Sequence, residues 1–165
     1  MHIQAVESPQ QRASICLDIL RALPEWFGVE IMVRDYAKQC ETLPVFAAFE
    51  GERAVGFVAL KQHNEYTSEI LAMGLLPETH RRGLGRALLA ACEEACRARG
   101  TRFLTVKTLA DTHPCQDYAK TRAFYRACGF VPLEVFPLHW DEENPCLFMA
   151  KHLGGLNHAP APTAV

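Results

Sequence analysis

The chain has 165 residues, 49% of them hydrophobic and 22% charged, which is the composition of one soluble globular domain long enough to bury a sizeable core. Its formal net charge of −2 gives no basic footprint for nucleic acid, and no apolar run reaches the length of a membrane span. The N-terminal residues lack the basic-then-apolar pattern of a signal peptide. An odd count of seven cysteines with no C-x-x-C pair fits a reducing cytosol.

Ile3 and Ala5 alternate with His2 and Gln4, so residues 2–6 read as a first strand. Ser8 with Pro9 reads as a helix start, and Ile15, Cys16, Ile19 and Leu20 form one apolar face as far as about Leu23. The segment from Pro24 to Gly28 interrupts this helix, and a second one follows over about Val29 to Glu41. Val45–Phe49 and Ala54–Leu60, joined at Gly51, read as a hairpin. Gly56 inside its second strand suggests a bulge or a close backbone approach. Ser68–Leu75 reads as a strand buried on both faces.

From Gly83 to Arg99, Leu84, Leu88, Ala91 and Ala95 recur at helical spacing. Glu93 and Arg97, four apart, are assigned to its wet face, and Cys92 and Cys96 to its core side as small apolar residues rather than metal ligands. Phe103–Thr108 is a strand, Asp117–Cys128 a helix stopped by Gly129, Phe130–Phe136 a strand, and Cys146–Lys151 a last short strand. A single domain is expected over residues 1–153, with residues 154–165 as a disordered tail.

The stretch from Ile70 to Leu89 carries the chemistry. An apolar strand is broken by Pro77, and a turn holding Arg81, Arg82, Gly83 and Gly85 leads straight into a helix. The start of a helix offers unpaired N–H groups and the positive end of the dipole, and glycine lets a bulky anion approach them. The element therefore reads as a diphosphate cradle. It matches neither G-x-x-x-x-G-K-[ST] nor G-x-G-x-x-G, since Leu88 stands where the third glycine of the latter belongs. An ordinary strand-to-helix turn with solvated arginines is the bland alternative.

His80-Arg81-Arg82-Gly83-Leu84-Gly85 resembles the acyl-CoA-binding motif [Q/R]-x-x-G-x-[G/A] of the GCN5-related N-acetyltransferase (GNAT) superfamily, with His80 departing from the first position. A second similar segment, Ala123 to Phe130, follows at the expected distance, and the resemblance runs from about Ile3 to Leu153. It implies an α/β fold of the α+β kind, a mixed and mostly antiparallel sheet of about six or seven strands with helices on both faces, in the order β-α-α-β-β-β-α-β-α-β-β. It also implies acyl transfer, most simply from acetyl-CoA, to a primary amine by direct attack in a ternary complex, with no metal.

On this resemblance Tyr125 is the general acid for the departing thiolate or, because a phenol is a weaker acid than a thiol, chiefly a hydrogen-bond donor that steadies it. Glu69, fourteen residues ahead of Gly83, is the base, with Glu65 second. Gly74, Leu75 and Leu76 would pair with the pantetheine arm. His80, Arg81, Arg82, Gly83, Leu84, Gly85 and Arg86 would surround the diphosphate, and Tyr118 and Arg122 would add further contacts. The family commonly has Asn and Ala where Tyr118 and Thr121 stand. Trp26, Phe27 and Trp140 are candidates for the acceptor wall. The acidic loop around Asp141, Glu142 and Glu143 suits a cationic acceptor or is simply a solvated loop. His63, His113 and His139 have no metal-ligand spacing. Relatives often dimerise through the sheet, so a homodimer stays open. So does a catalytically silent CoA-binding or interaction module of the same fold.

Overall fold

The computed structural model describes residues 1–154. The elements run β1 (His2–Ala5), α1 (Pro9–Arg21), α2 (Glu30–Cys40), β2 (Val45–Glu50), β3 (Arg53–Gln62), β4 (Thr67–Leu75), α3 (Leu84–Ala98), β5 (Phe103–Leu109), α4 (Gln116–Ala127), β6 (Val131–Phe136) and β7 (Cys146–His152), with a 3-10 turn at Pro77–Thr79 before α3. This is the expected order, with boundaries displaced by a residue or two. The tail assigned to residues 154–165 lies, beyond Gly154, outside the described residues. No described helix is long and apolar enough to cross a membrane.

All seven strands form one sheet in the order β1-β2-β3-β4-β5-β7-β6. Every pairing is antiparallel except β4 with β5, because α3 carries the chain over the sheet between them. That parallel pair runs only from Thr67↔Phe103 to Ile70↔Val106. Beyond it β4 stays with β3 as far as Leu75↔Gly56, while β5 stays with β7 as far as Leu109↔Cys146. The sheet therefore opens between Leu71–Leu75 on one side and Lys107–Leu109 on the other.

A bulge fixes what faces this opening. The β3–β4 register slips between Ala59 and Leu60, leaving Leu71 without a partner. Alternation restarts after the extra residue, so side chains exchange faces across it. Glu69 thus shares a face with Gly74, whose absent side chain makes room for Ile19 and Leu23 of α1. Ile70 shares the other face with Leu75, whose side chain reaches Gly85 of α3 beside Phe124 of α4. Helices cover both faces, α1 and α2 on one and α3 and α4 on the other. The half-buried Leu71, Met73 and Leu75 correct the expectation of a strand buried on both sides, because these residues border the opening.

Gly56 shows both features expected of it. The β2–β3 register slips beside it, between Ala48 and Phe49, and a Cβ there would lie 3.0 Å from the Gly74 carbonyl oxygen. Glu93 is a correction. It is buried, accepting from Arg97 at 2.9 Å and from Lys151 of β7, so it ties α3 to the sheet instead of facing water. Cys92 and Cys96 are buried in the core, as expected.

Candidate active site

The turn before α3 presents its amides outward. Arg81 has φ 60 and Gly83 has φ 80, two left-handed residues within three positions. Gly83 caps α3 without a side-chain hydrogen bond, and the first bond back into the turn is from Ala87 N–H to the Gly83 carbonyl at 3.1 Å. Among the described residues, the N–H groups of Arg81 to Arg86 take no acceptor within the protein. A Cβ at Gly83 would meet nothing within 4 Å, so an anion can approach there. Gly85 is a glycine for another reason: a Cβ there would lie 3.1 Å from the Phe124 ring.

This turn opens into a cavity of about 630 Å³ that passes through the sheet opening. On the α3–α4 side it is bordered by Arg81, Gly83, Leu84, Gly85, Arg86, Tyr118 and Tyr125. On the α1–α2 side it is bordered by Trp26, Phe27, Tyr36, Lys107 and Trp140. The two predicted groups, cradle and acceptor wall, are therefore brought to one continuous space.

Leu76, Arg82 and Arg122 do not border that space, although Gly74 does. The Leu76 N–H donates to the Val55 carbonyl at 2.9 Å, and its own carbonyl accepts from the Thr79 amide and hydroxyl at 2.9 and 2.7 Å. By alternation Met73 and Leu75, not Gly74 and Leu76, turn backbone groups to the opening. Arg122 is buried and donates to the carbonyls of Leu109 and Ala110 at 2.9 and 3.2 Å, so it holds the end of β5 instead of a phosphate. Arg82 points away from the cavity toward Glu50, 3.5 Å off, whereas Arg81 and Arg86 border it. His80, whose ring replaces the motif's usual side chain, places Nε2 2.9 Å from the Leu75 carbonyl oxygen.

Tyr125 is packed between Phe124 and Phe130, each ring 5.3 Å away, and borders the cavity with no hydrogen-bond partner for its hydroxyl among the described residues. Burial pushes its pKa well above the usual phenol value. Tyr118 donates to the Trp26 carbonyl at 2.9 Å, and the Trp26 indole donates to Thr121 Oγ1 at 3.1 Å. The two positions that depart from the family pattern thus latch the α1–α2 loop to α4. Burial raises the Tyr118 pKa to about 12.

Glu69 lies on the α1–α2 face and lines a neighbouring hollow of about 400 Å³ with His63, Thr105, Lys107, Phe136 and His139. Its Oε1 accepts from Lys107 at 2.8 Å and its Oε2 is 2.5 Å from His63 Nε2. Lys107 borders both spaces. Glu65 is exposed and lines neither. His113 accepts from the Cys115 amide at the start of α4, away from this hollow. The Asp141 carboxylate accepts from the amides of Glu143 and Asn144, so it shapes its own loop and is not offered to an acceptor.

Sequence reasoning missed three residues here. Lys107 and Tyr36 carry no motif. Thr108 was read only as a strand end, yet the residue borders the cavity, and its buried hydroxyl has no partner among the described residues. An orphaned hydroxyl on a residue of the same cavity as the six unpaired amides suits a long polar arm ending in phosphates, so these residues fit coenzyme A.

The family model of the acetyltransferase (GNAT) family matches residues 14–130. No curated protein matches the chain in sequence at a significant level. Among solved structures, a protein assigned to the GNAT family from Desulfovibrio desulfuricans is 19% identical, with TM-score 0.77 over 93% of this chain and 99% of that one. An aminoglycoside 6'-N-acetyltransferase complexed with coenzyme A is 17% identical, with TM-score 0.75 over 96% and 100% of the two chains. The ribosomal-protein-S18-alanine N-acetyltransferase of Escherichia coli is 18% identical, with TM-score 0.74 over 97% of each chain.

Proposed function

The chain belongs to the acetyltransferase (GNAT) family, and from that premise we propose that it moves an acyl group, most simply acetyl, from coenzyme A to a primary amine seated on the α1–α2 face, in a ternary complex. The observation that carries this reading is the row of unpaired amides from Arg81 to Arg86 at one end of a cavity whose other end holds Glu69's partner Lys107 and the aromatic wall.

Each step falls to a named group. The cradle amides with Arg81 and Arg86 bind the diphosphate. Met73 and Leu75 present strand edges to the pantetheine amides, and the Thr108 hydroxyl finds its partner there. The acceptor must arrive as a neutral amine. Removing the proton from a lysine-like ammonium costs roughly 4–5 kcal/mol at pH 7. Glu69 faces the acceptor side, and with both oxygens engaged it hands a proton on through His63, whose side chain reaches solvent. Tyr125 donates a hydrogen bond to the leaving sulfur. With its pKa raised it is a poor source of a full proton, so it steadies the thiolate while solvent or the released proton completes the thiol.

The acceptor is an amine small or slender enough to pass the wall of Trp26, Phe27, Tyr36 and Trp140. One domain over residues 1–153 carries the whole reaction. Its seven free cysteines suit a reducing compartment, and we place the enzyme in the cytosol. A panel of amines (polyamines, amino acids, aminoglycosides, peptide N-termini) incubated with acetyl-CoA, with detection of free thiol, tests this. Thiol release that depends on one class of amine is the expected result. Bound coenzyme A with no release for any amine would make the chain a silent binding module.

A further inference from the structure

We propose that Lys107 is itself an acyl acceptor: the enzyme acylates this ε-amine, and the modification frees Glu69 for the external amine. The inference rests on the reading above that the thioester reaches the sheet opening.

Lys107 is the first residue of β5 beyond the last β4–β5 pair, Ile70↔Val106. It therefore stands at the apex of the opening, on the acceptor face with Glu69. Its side chain is 25% exposed and borders both the cofactor cavity and the Glu69 hollow. Its ammonium donates to Glu69 Oε1, and Glu69 Oε2 meets His63. A primary amine, a carboxylate and an imidazole are thus lined up from the cavity outward to solvent. That is the arrangement the reaction needs of an external acceptor, supplied by the chain itself. Lys120 also borders the cavity but is 76% exposed on α4 and pairs only with Asp117, with no imidazole behind it. Lys151 is paired with Glu93 and borders neither space.

The step balances without another reagent. The Lys107 ammonium gives one proton to Glu69, which passes it through His63 to water. The neutral nitrogen attacks the thioester carbonyl, the N–C bond forms, and the C–S bond breaks. The second nitrogen proton leaves with the sulfur as thiol. The products are an amide on Lys107 and free coenzyme A. An amide is not an acyl donor, so this is a modification and not a transfer intermediate. It converts a cation into a neutral group and leaves Glu69 Oε1 without its ion-pair partner. The ammonium of an incoming acceptor can then take that place. The unmodified enzyme accordingly has its acceptor position filled by its own side chain.

The test is incubation of the purified chain with acetyl-CoA and no amine, followed by intact mass, peptide mapping and thiol detection, with the melting temperature recorded with and without coenzyme A. Release of about one thiol per chain, with one acetyl group mapped to Lys107 ahead of the more exposed Lys120, is expected. Glu69→Gln should slow the labelling at least about tenfold, and Lys107→Arg should abolish the release while keeping the positive charge. Label spread over lysines in proportion to their exposure overturns the proposal. So does an unlabelled Lys107 in a chain that coenzyme A clearly stabilises, and in that case the cofactor site stands without it. No label and no stabilisation would remove both.

Discussion

The Tyr118 hydroxyl donates to the Trp26 carbonyl across 92 residues of sequence, and Trp26 returns a hydrogen bond to Thr121 one turn further along the same helix. The proposed acceptor wall at Trp26 is thereby fastened to the helix that also carries Tyr125. Tyr118→Phe removes one such bond, worth about 1 kcal/mol. The expected result is a rise of several-fold in KM for the amine, with coenzyme A affinity unchanged. Weakened coenzyme A binding with an unaltered amine KM would reassign Tyr118 to the cofactor.

Tyr125 packs between two phenylalanines, so Phe at this position changes little but the hydroxyl. Tyr125→Phe should lower kcat by at least about tenfold with coenzyme A affinity nearly constant. An unchanged kcat would leave the ring as packing alone. Because burial raises its pKa above the usual phenol value, the wild-type rate should show no loss below pH 10 that Tyr125→Phe removes.

The two motif glycines fail differently. Gly83→Ala places a side chain at φ 80, a strain of about 1–2 kcal/mol. The turn relieves that strain by re-forming, so coenzyme A affinity should fall along with stability. Gly85→Ala sets a methyl 3.1 Å from the Phe124 ring. It should shift that ring, and so disturb Tyr125 beside it, lowering kcat more than affinity. Titration calorimetry of each variant separates the two.

Glu93 holds Lys151 and Arg97 with only a tenth of its side chain exposed. Glu93→Ala leaves the Lys151 ammonium without its partner and should cost about 2–3 kcal/mol in denaturant unfolding. The loss should persist at high salt, because a partly buried pair is poorly screened.

Stability should fall in alkali. The Tyr118 pKa is near 12 in the fold, and those of Tyr36 and Tyr125 are raised, all by burial. Between pH 10 and 12 the unfolded chain has released phenolic protons that the folded chain still holds. Their stabilisation is complete below about pH 10 and is lost as pH climbs through the folded values. Melting temperatures measured from pH 9 to 11.5 should decline, and less steeply in Tyr118→Phe.

Much of this was legible in residue order. Pro77, the glycines and the helical spacing of Leu84 and Leu88 located the cradle, because local backbone chemistry decides it. Contacts between distant segments were not legible. Glu93 and Arg97 look like a surface pair, since Lys151 lies 58 residues away from Glu93. Arg122 looks like a phosphate ligand until the Leu109 carbonyl meets it. Tyr118 and Thr121 were visible as departures from a pattern, but their shared partner, Trp26, belongs to another layer. Lys107 stood in an unremarked strand, because its meaning comes from where two strands part.

The unpaired Leu71 has a consequence for anyone altering this enzyme. The added residue sits where the β4–β5 pairing ends at Ile70↔Val106, and a bulge bends the strand that carries it. Deleting it would make Ile70↔Leu60 and Ala72↔Ala59 consecutive pairs, so Glu69 would keep its face but β4 would lose the bend at the point where it parts from β5. On the proposed reading the loops at Trp26 and Trp140 are the place to retune acceptor range, while the length of β4 has to be inherited unchanged.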